Sequence, residues 1–165
     1  MTTGPSRRLC WISALAAIVL SAGTASASAG PFSGLAGSWS GGGHILLANG
    51  AKERIRCRAH YSVGSGGNSV HQSLRCASDS YNFELRSDVE SHGGRISGNW
   101  NESTRQIGGT LSGHARDGHI EVTVYNPNFS AHLTLISHGH RQSVIIRASG
   151  GGEFTGASIS LARRG

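Results

Sequence analysis

The sequence predicts an all-β protein: an antiparallel up-and-down meander of about eight to ten strands that closes into a small β-barrel. Three observations carry this expectation. From Gly37 onward short segments alternate apolar and polar residues with a period of two, as strands with one wet face do. Nowhere in that region do apolar residues recur at helical spacing for more than a turn or two. The links between segments, such as "GSGGN", "ASDS", "SHGG", "ARDG" and "NPN", are hairpin-length and leave no room for crossover helices.

The alternation places strands over 37–47, 53–63, 69–77, 81–90, 94–102, 106–115, 119–126, 130–137, 141–148 and 156–163. Within the seventh, Ile120, Val122 and Val124 share one face and Glu121, Thr123 and Tyr125 the other. Leu133 and Leu135 share a face with Ala131, and Ile159 and Leu161 with Ala157. So many hairpin-linked strands with one apolar face would expose edges if left open, and closure into a barrel removes them. A two-sheet sandwich is the competing architecture, but it usually requires longer Greek-key connections than this sequence offers.

The first 29 residues stand apart. Arg7 and Arg8 precede an apolar run from Trp11 to about Ala22, followed by the small residues "SAGTASASAG". A positive n-region, a short apolar core and an A-x-A site are the pattern of an export signal, which places cleavage after Ala29 and leaves a single domain over 30–165 in the periplasm or outside the cell. The run is too short for an ordinary membrane-spanning helix, and none follows it. Removing Arg7 and Arg8 leaves 13 Lys and Arg against 9 acidic residues, so the domain is modestly basic at 13 − 9 = +4. Cys57 and Cys76 remain, and in an exported chain an isolated pair reads as a disulfide.

That pair fixes a register. If Cys57 faces Cys76, antiparallel partners sum to 133, so Ala59 meets Leu74, Tyr61 meets Gln72 and Val63 meets Val70. Every apolar residue of both strands then falls on the cysteine face, which a slip of one residue would undo. The same register lines Arg54, Arg56 and Arg58 along the outer face of "ERIRCRAHYS" and sets Arg58 opposite Arg75. Like charges directly opposed cost stability unless solvent or a counter-charge relieves them. Two readings follow: an anion-binding face at Arg54, Arg56, Arg58 and Arg75 for an acidic envelope glycan or glycolipid, or a solvated face neutralised by the fourth strand. Pairing across "ASDS" places Glu84 opposite Ser73 and diagonal to Arg75. Nucleic acid fits least, because no aromatic residues interleave outward with the arginines to stack bases.

No catalytic constellation emerges. Serines lack the G-x-S-x-G elbow, and the paired carboxylates Asp88 and Glu90 point outward, where nothing would raise a pKa. Of nine histidines only His138 and His140, in "SHGH", lie close enough to suggest one metal site, with no nearby cysteine or carboxylate to complete it. No cofactor motif is present.

The barrel interior is more informative. Inward positions alternate large residues with glycine: Trp39, Gly41, Gly43 and Ile45, then Ile96, Gly98 and Trp100, then Ile107, Gly109, Leu111 and Gly113. Glycine inside a strand marks sharp curvature or close backbone approach. Either the aromatics fill a small core, the reading that the many inward Ala, Val, Ile and Gly residues favour slightly, or Trp39, Tyr61, Tyr81, Phe83 and Trp100 line a cavity for a small hydrophobic ligand.

The G-x-W of Gly37, Ser38 and Trp39, repeated as Gly98, Asn99 and Trp100, resembles the element that opens the first strand of lipocalins and avidin-like barrels. That resemblance implies a calycin-like barrel in which the first tryptophan packs across one end. The segments "GSWSG", "ERIRC" and "CASDSY" are similar to those of small exported bacterial proteins, a likeness that implies no activity. The sequence thus points to an exported, disulfide-stapled barrel that binds a ligand, an envelope component or a protein partner without catalysis.

Overall fold

The computed structural model describes residues 1–2, 29–150 and 152–165. The segment read as an export signal lies, apart from residues 1, 2 and 29, outside the described residues. Ten strands follow one another: β1 (Gly37–Leu47), β2 (Lys52–Val63), β3 (Ser69–Ala77), β4 (Asn82–His92), β5 (Arg95–Glu102), β6 (Ile107–Arg116), β7 (His119–Asn126), β8 (Phe129–His138), β9 (Arg141–Gly150) and β10 (Phe154–Arg163). A single 3₁₀ turn, Ser65–Gly67, joins β2 to β3. Each strand pairs antiparallel with its sequence neighbours, and β1 also pairs with β10, so the sheet closes on itself.

Alternation decides what faces inward. On β2, Ile55, Cys57, Ala59 and Tyr61 are buried while Arg54, Arg56, Arg58 and His60 are exposed. The inner wall is mostly apolar and the outer wall mostly Ser, Thr, Arg and His, with Leu46, Tyr125, Ile136 and Ile145 the large apolar or aromatic side chains exposed there among the described residues, unlike the continuous outward apolar band of a membrane-spanning barrel. Among the described residues no helix is long and apolar enough to cross a membrane.

Cys57 and Cys76 form a disulfide between directly paired residues of β2 and β3. The register is the expected one, with Arg58 opposite Arg75, Ala59 opposite Leu74 and Tyr61 opposite Gln72. The next hairpin departs from expectation by two residues. Glu84 stands directly opposite Arg75, and Ser73 faces Arg86. The cause is the connection between them, a four-residue loop over 78–81. Ser78 N–H donates to the Tyr81 carbonyl at 2.7 Å and Ser78 Oγ donates to Glu53 Oε2 at 2.7 Å. The shift replaces a diagonal charge contact with an ion pair, Arg75 Nε to Glu84 Oε1 at 3.3 Å.

One end of the barrel is plugged. Residues 30–35 run beneath the start of β1, held to the 3₁₀ turn by Gly30 N–H to Gly66 O at 2.7 Å and Phe32 N–H to Gly67 O at 3.0 Å. Phe32 and Leu35 are almost fully buried, and Trp39 Nε1 donates to the Leu35 carbonyl at 2.7 Å. The Arg163 guanidinium, at the end of β10, lies 4.7 Å from the centre of the Trp39 ring and donates to the Gly34 carbonyl. The tryptophan therefore packs across one end, as the G-x-W resemblance implies. We call this the closed end. The turns 48–51, 78–81, 103–106 and 127–128, with residues 152–153 before β10, form the opposite rim.

Close strand contact requires glycine at two inward positions in particular. A Cβ at Gly43 would sit 1.9 Å from the Ser158 carbonyl oxygen, and one at Gly98 would sit 2.0 Å from that of Asp88. Both contacts are far inside van der Waals distance and involve backbone that cannot swing away. We expect Gly43→Ala to destabilise the fold by about 1–3 kcal/mol or more through strand displacement. Replacing both cysteines by alanine should cost about 2–4 kcal/mol, because the bridge constrains the unfolded chain. Urea denaturation monitored by tryptophan fluorescence measures both. A loss below about 0.5 kcal/mol in either variant would contradict the corresponding account.

Candidate ligand-binding lumen

The inner wall is unevenly packed. Around the closed end and along β1, β2 and β10, inward residues such as Ile45, Ile55, Tyr61, Ile159 and Leu161 are buried to 4% exposure or less. Across the barrel, Val122, Leu133, Leu135, Val144 and Ile146 point inward by register, yet each is only half-buried. Strand number and small inward side chains bear on how fully the ring is packed. Eight strands enclose a space that side chains just fill or that holds one small ligand, and barrel diameter grows with each added strand. Ten strands widen that space, while the inward set includes Gly41, Gly43, Gly98, Gly109 and Gly113 together with Ala59, Ala131, Ala148 and Ala157. Small side chains thus alternate with large ones along the inner wall.

The five aromatic residues singled out from sequence separate into two groups. Trp39 and Tyr61 belong to the closed end. Tyr61 is 4% exposed, its hydroxyl donates to Gln142 Oε1 at 3.3 Å, and burial pushes its phenol well above the ordinary tyrosine range. Tyr81, Phe83 and Trp100 stand toward the rim. Tyr81 stacks on Phe154 at 5.8 Å and meets Phe83 edge-on at 6.3 Å, whereas Trp100 meets Phe129 edge-on at 6.2 Å and donates from Nε1 to the Thr110 carbonyl. The structure thus joins Tyr81 to Phe83 and Trp39 to the plug, but it does not bring all five around one point.

Polar groups punctuate the apolar lumen. Ser87 Oγ donates to Gln72 Oε1 at 3.1 Å, and Gln142, 2% exposed, has an amide nitrogen with no hydrogen-bond partner among the described residues. Sequence reasoning missed Gln142, since one inward Gln at the start of a strand carries no distinctive pattern. It also missed Phe32 and Leu35, whose signal was two apolar residues three apart just before the G-x-W.

A second missed feature is Glu102, which organises the rim. Its carboxylate accepts hydrogen bonds from the amides of Glu84 at 3.0 Å, Thr104 at 2.9 Å and Arg105 at 2.8 Å, and from the Thr104 hydroxyl. Burial opposes ionisation, but these donors outweigh it and hold the pKa below the ordinary glutamate value. Arg105 lies beside the same carboxylate at 3.8 Å, donates to the Asn82 carbonyl at 2.9 Å and rests 4.1 Å from the centre of the Tyr81 ring. Glu102 thereby fixes the turn that holds Tyr81 in place. Burial raises the Tyr81 phenol pKa, partly offset by the nearby Arg105 charge.

On the outer wall, Arg75 is paired with Glu84, whereas Arg54, Arg56 and Arg58 enter no ion pair among the described residues. His138 and His140 sit at the β8–β9 turn, and no group of three or more metal-ligating side chains gathers among the described residues.

No protein-family model matches the chain, and no curated protein matches it in sequence. Solved structures do match. Rv2717c from M. tuberculosis superposes with a TM-score of 0.65 at 12% identity, over 81% of this chain and 94% of its own. The S-type phycobiliprotein lyase CPES from Guillardia theta superposes with a TM-score of 0.57 at 14% identity, over 81% of this chain and 90% of its own. The likeness is one of fold. It spans nearly the full length of both neighbours.

Glu102 yields a pH prediction. Its folded pKa lies below the unfolded value, so its contribution to stability is present above the unfolded pKa of about 4.3 and is lost as pH falls through the folded value. Glu102→Gln should destabilise the protein at neutral pH by about 1–3 kcal/mol by weakening these bonds. It should also flatten the acid limb of the stability profile below about pH 4. Denaturation midpoints across pH measure both effects, and an unchanged acid limb in the variant would contradict the assignment.

Proposed function

We propose that the barrel binds a small, predominantly apolar molecule in its lumen and acts without catalysis, as an exported carrier or binding protein. The observation that carries this reading is the half-burial of Val122, Leu133, Leu135, Val144 and Ile146 on an inward apolar wall. A core with nothing further to bind would bury such residues as fully as Ile45 and Ile55 are buried. Covering them with a ligand would contribute about 25 cal/mol for each Å² of apolar surface removed from water. Entry would be from the rim, since Trp39, Phe32 and Leu35 block the other end. The disulfide and the leader-like first 29 residues support an exported setting.

Leu133→Phe separates an open lumen from a filled one. In an open lumen the larger ring should cost less than about 1 kcal/mol, because space exists to receive it. It should also reduce uptake of the fluorescent probe N-phenyl-1-naphthylamine several-fold. In a filled core the same change should cost about 1–3 kcal/mol and leave a negligible probe signal unchanged. The second pattern would overturn the proposal.

A further inference from the structure

The nine acidic residues are unevenly distributed around the barrel. Glu84, Asp88 and Glu90 lie on the outer face of β4 and Glu121 on that of β7. Asp79, Asp117 and Glu153 sit in turns, Glu102 is buried, and the Glu53 carboxylate accepts from the Ser78 and Ser80 hydroxyls at the rim. The outer wall formed by β9, β10, β1 and β2, contiguous in the closed sheet, therefore carries no carboxylate.

It does carry arginine along both margins. Arg54, Arg56 and Arg58 project outward from β2, and Arg141 and Arg147 from β9, all exposed. None is in an ion pair among the described residues. Between the two rows, β1 and β10 present mostly short outward residues, Ser40, Gly42, Ser158 and Ser160, with His44 and the exposed Leu46 toward the rim. Three strand spacings put the rows about 14 Å apart, and the arginines of β2 repeat about every 6.7 Å along the strand. Arg164 crosses this floor. Its Nε donates to Ser40 Oγ at 2.9 Å, and Ser40 is the direct backbone partner of Arg58, which places Arg164 and Arg58 on the same stretch of a wall without carboxylates.

We infer that this wall is a binding track for an acidic polysaccharide. Its carboxylate or sulfate groups would be held by the flanking arginines, and its sugar hydroxyls would hydrogen-bond the serine floor. Unpaired arginines on both margins supply charge complementarity for a linear polyanion. The track has no outward Trp, Tyr or Phe on which a base could stack, which separates it from a single-stranded nucleic-acid groove. The outer wall and the lumen are different surfaces, so this inference is independent of the ligand-binding reading.

The test uses the purified protein and three probes at low ionic strength: a dextran sulfate, a single-stranded oligo-dT of similar length, and vesicles containing phosphatidylglycerol. The variants are R56S/R58S, R58S/R164S and R95S/R116S, the last removing the same charge from the outer faces of β5 and β6. Dextran sulfate should bind with an affinity that falls as salt is added. The two track variants should weaken it about tenfold or more, while the control stays within about twofold and all three keep the wild-type melting temperature. Equal weakening in the control would reduce the effect to net charge and overturn the inference. Tighter binding of oligo-dT or vesicles than of dextran sulfate, lost in the same track variants, would also overturn it, as would no measurable binding of dextran sulfate.

Discussion

Closure of the sheet is the constraint from which the rest follows. β1 must pair with β2 on one side and β10 on the other, which satisfies every strand edge and ties the first strand of the chain to the last. Once the ring is closed, the period-two alternation divides every strand between lumen and solvent, and a slip in one hairpin would misplace a whole apolar set. The disulfide pins one hairpin of the ring, and Trp39, gripped between Leu35 and Arg163, ties the start of the domain to its end. The inward glycines allow neighbouring backbones to approach where the sheet bends.

The two walls have different chemistry because they answer to different solvents. The inner wall is mainly apolar, and on its β7–β9 side Val122, Leu133, Leu135, Val144 and Ile146 are partly buried, the observation behind the proposed apolar guest. The outer wall is mostly polar, with exposed Leu46, Tyr125, Ile136 and Ile145 as exceptions, and it is polarised, with acidic residues on β4 and β7 and unpaired arginines on β9 and β2. Ion pairing sharpens this division: Arg75 is neutralised by Glu84, while Arg58, its direct neighbour, is not. Solved structures with only 12–14% identity share the fold, in keeping with an architecture specified by alternation and closure more than by particular side chains.

Much of this was legible in the sequence, and the residues that were not share a physical reason. Ile55, Cys57, Ala59 and Tyr61 announced their strand and face by simple alternation, and the cysteine pair set the β2–β3 register. The β3–β4 register was misjudged by two because the intervening loop is stabilised by Glu53, a residue 25 positions from Ser78 that only folding brings near. Glu102 and Gln142 were invisible for the same reason, since their partners come from other strands or from turn amides without a sequence signature. The aromatic set was identified by type, but rim and closed end could not be distinguished without the spiral that closure imposes on the strands. Lumen volume was equally hidden, because it depends on how many strands complete the ring.

The central claim is that the lumen is open and takes a small apolar guest. Native mass spectrometry on protein purified gently from the compartment where it accumulates tests this most directly. The account predicts a reproducible extra mass, small relative to the chain, that disappears when the protein is unfolded with its disulfide intact. A bare chain mass under conditions that preserve the fold would contradict it.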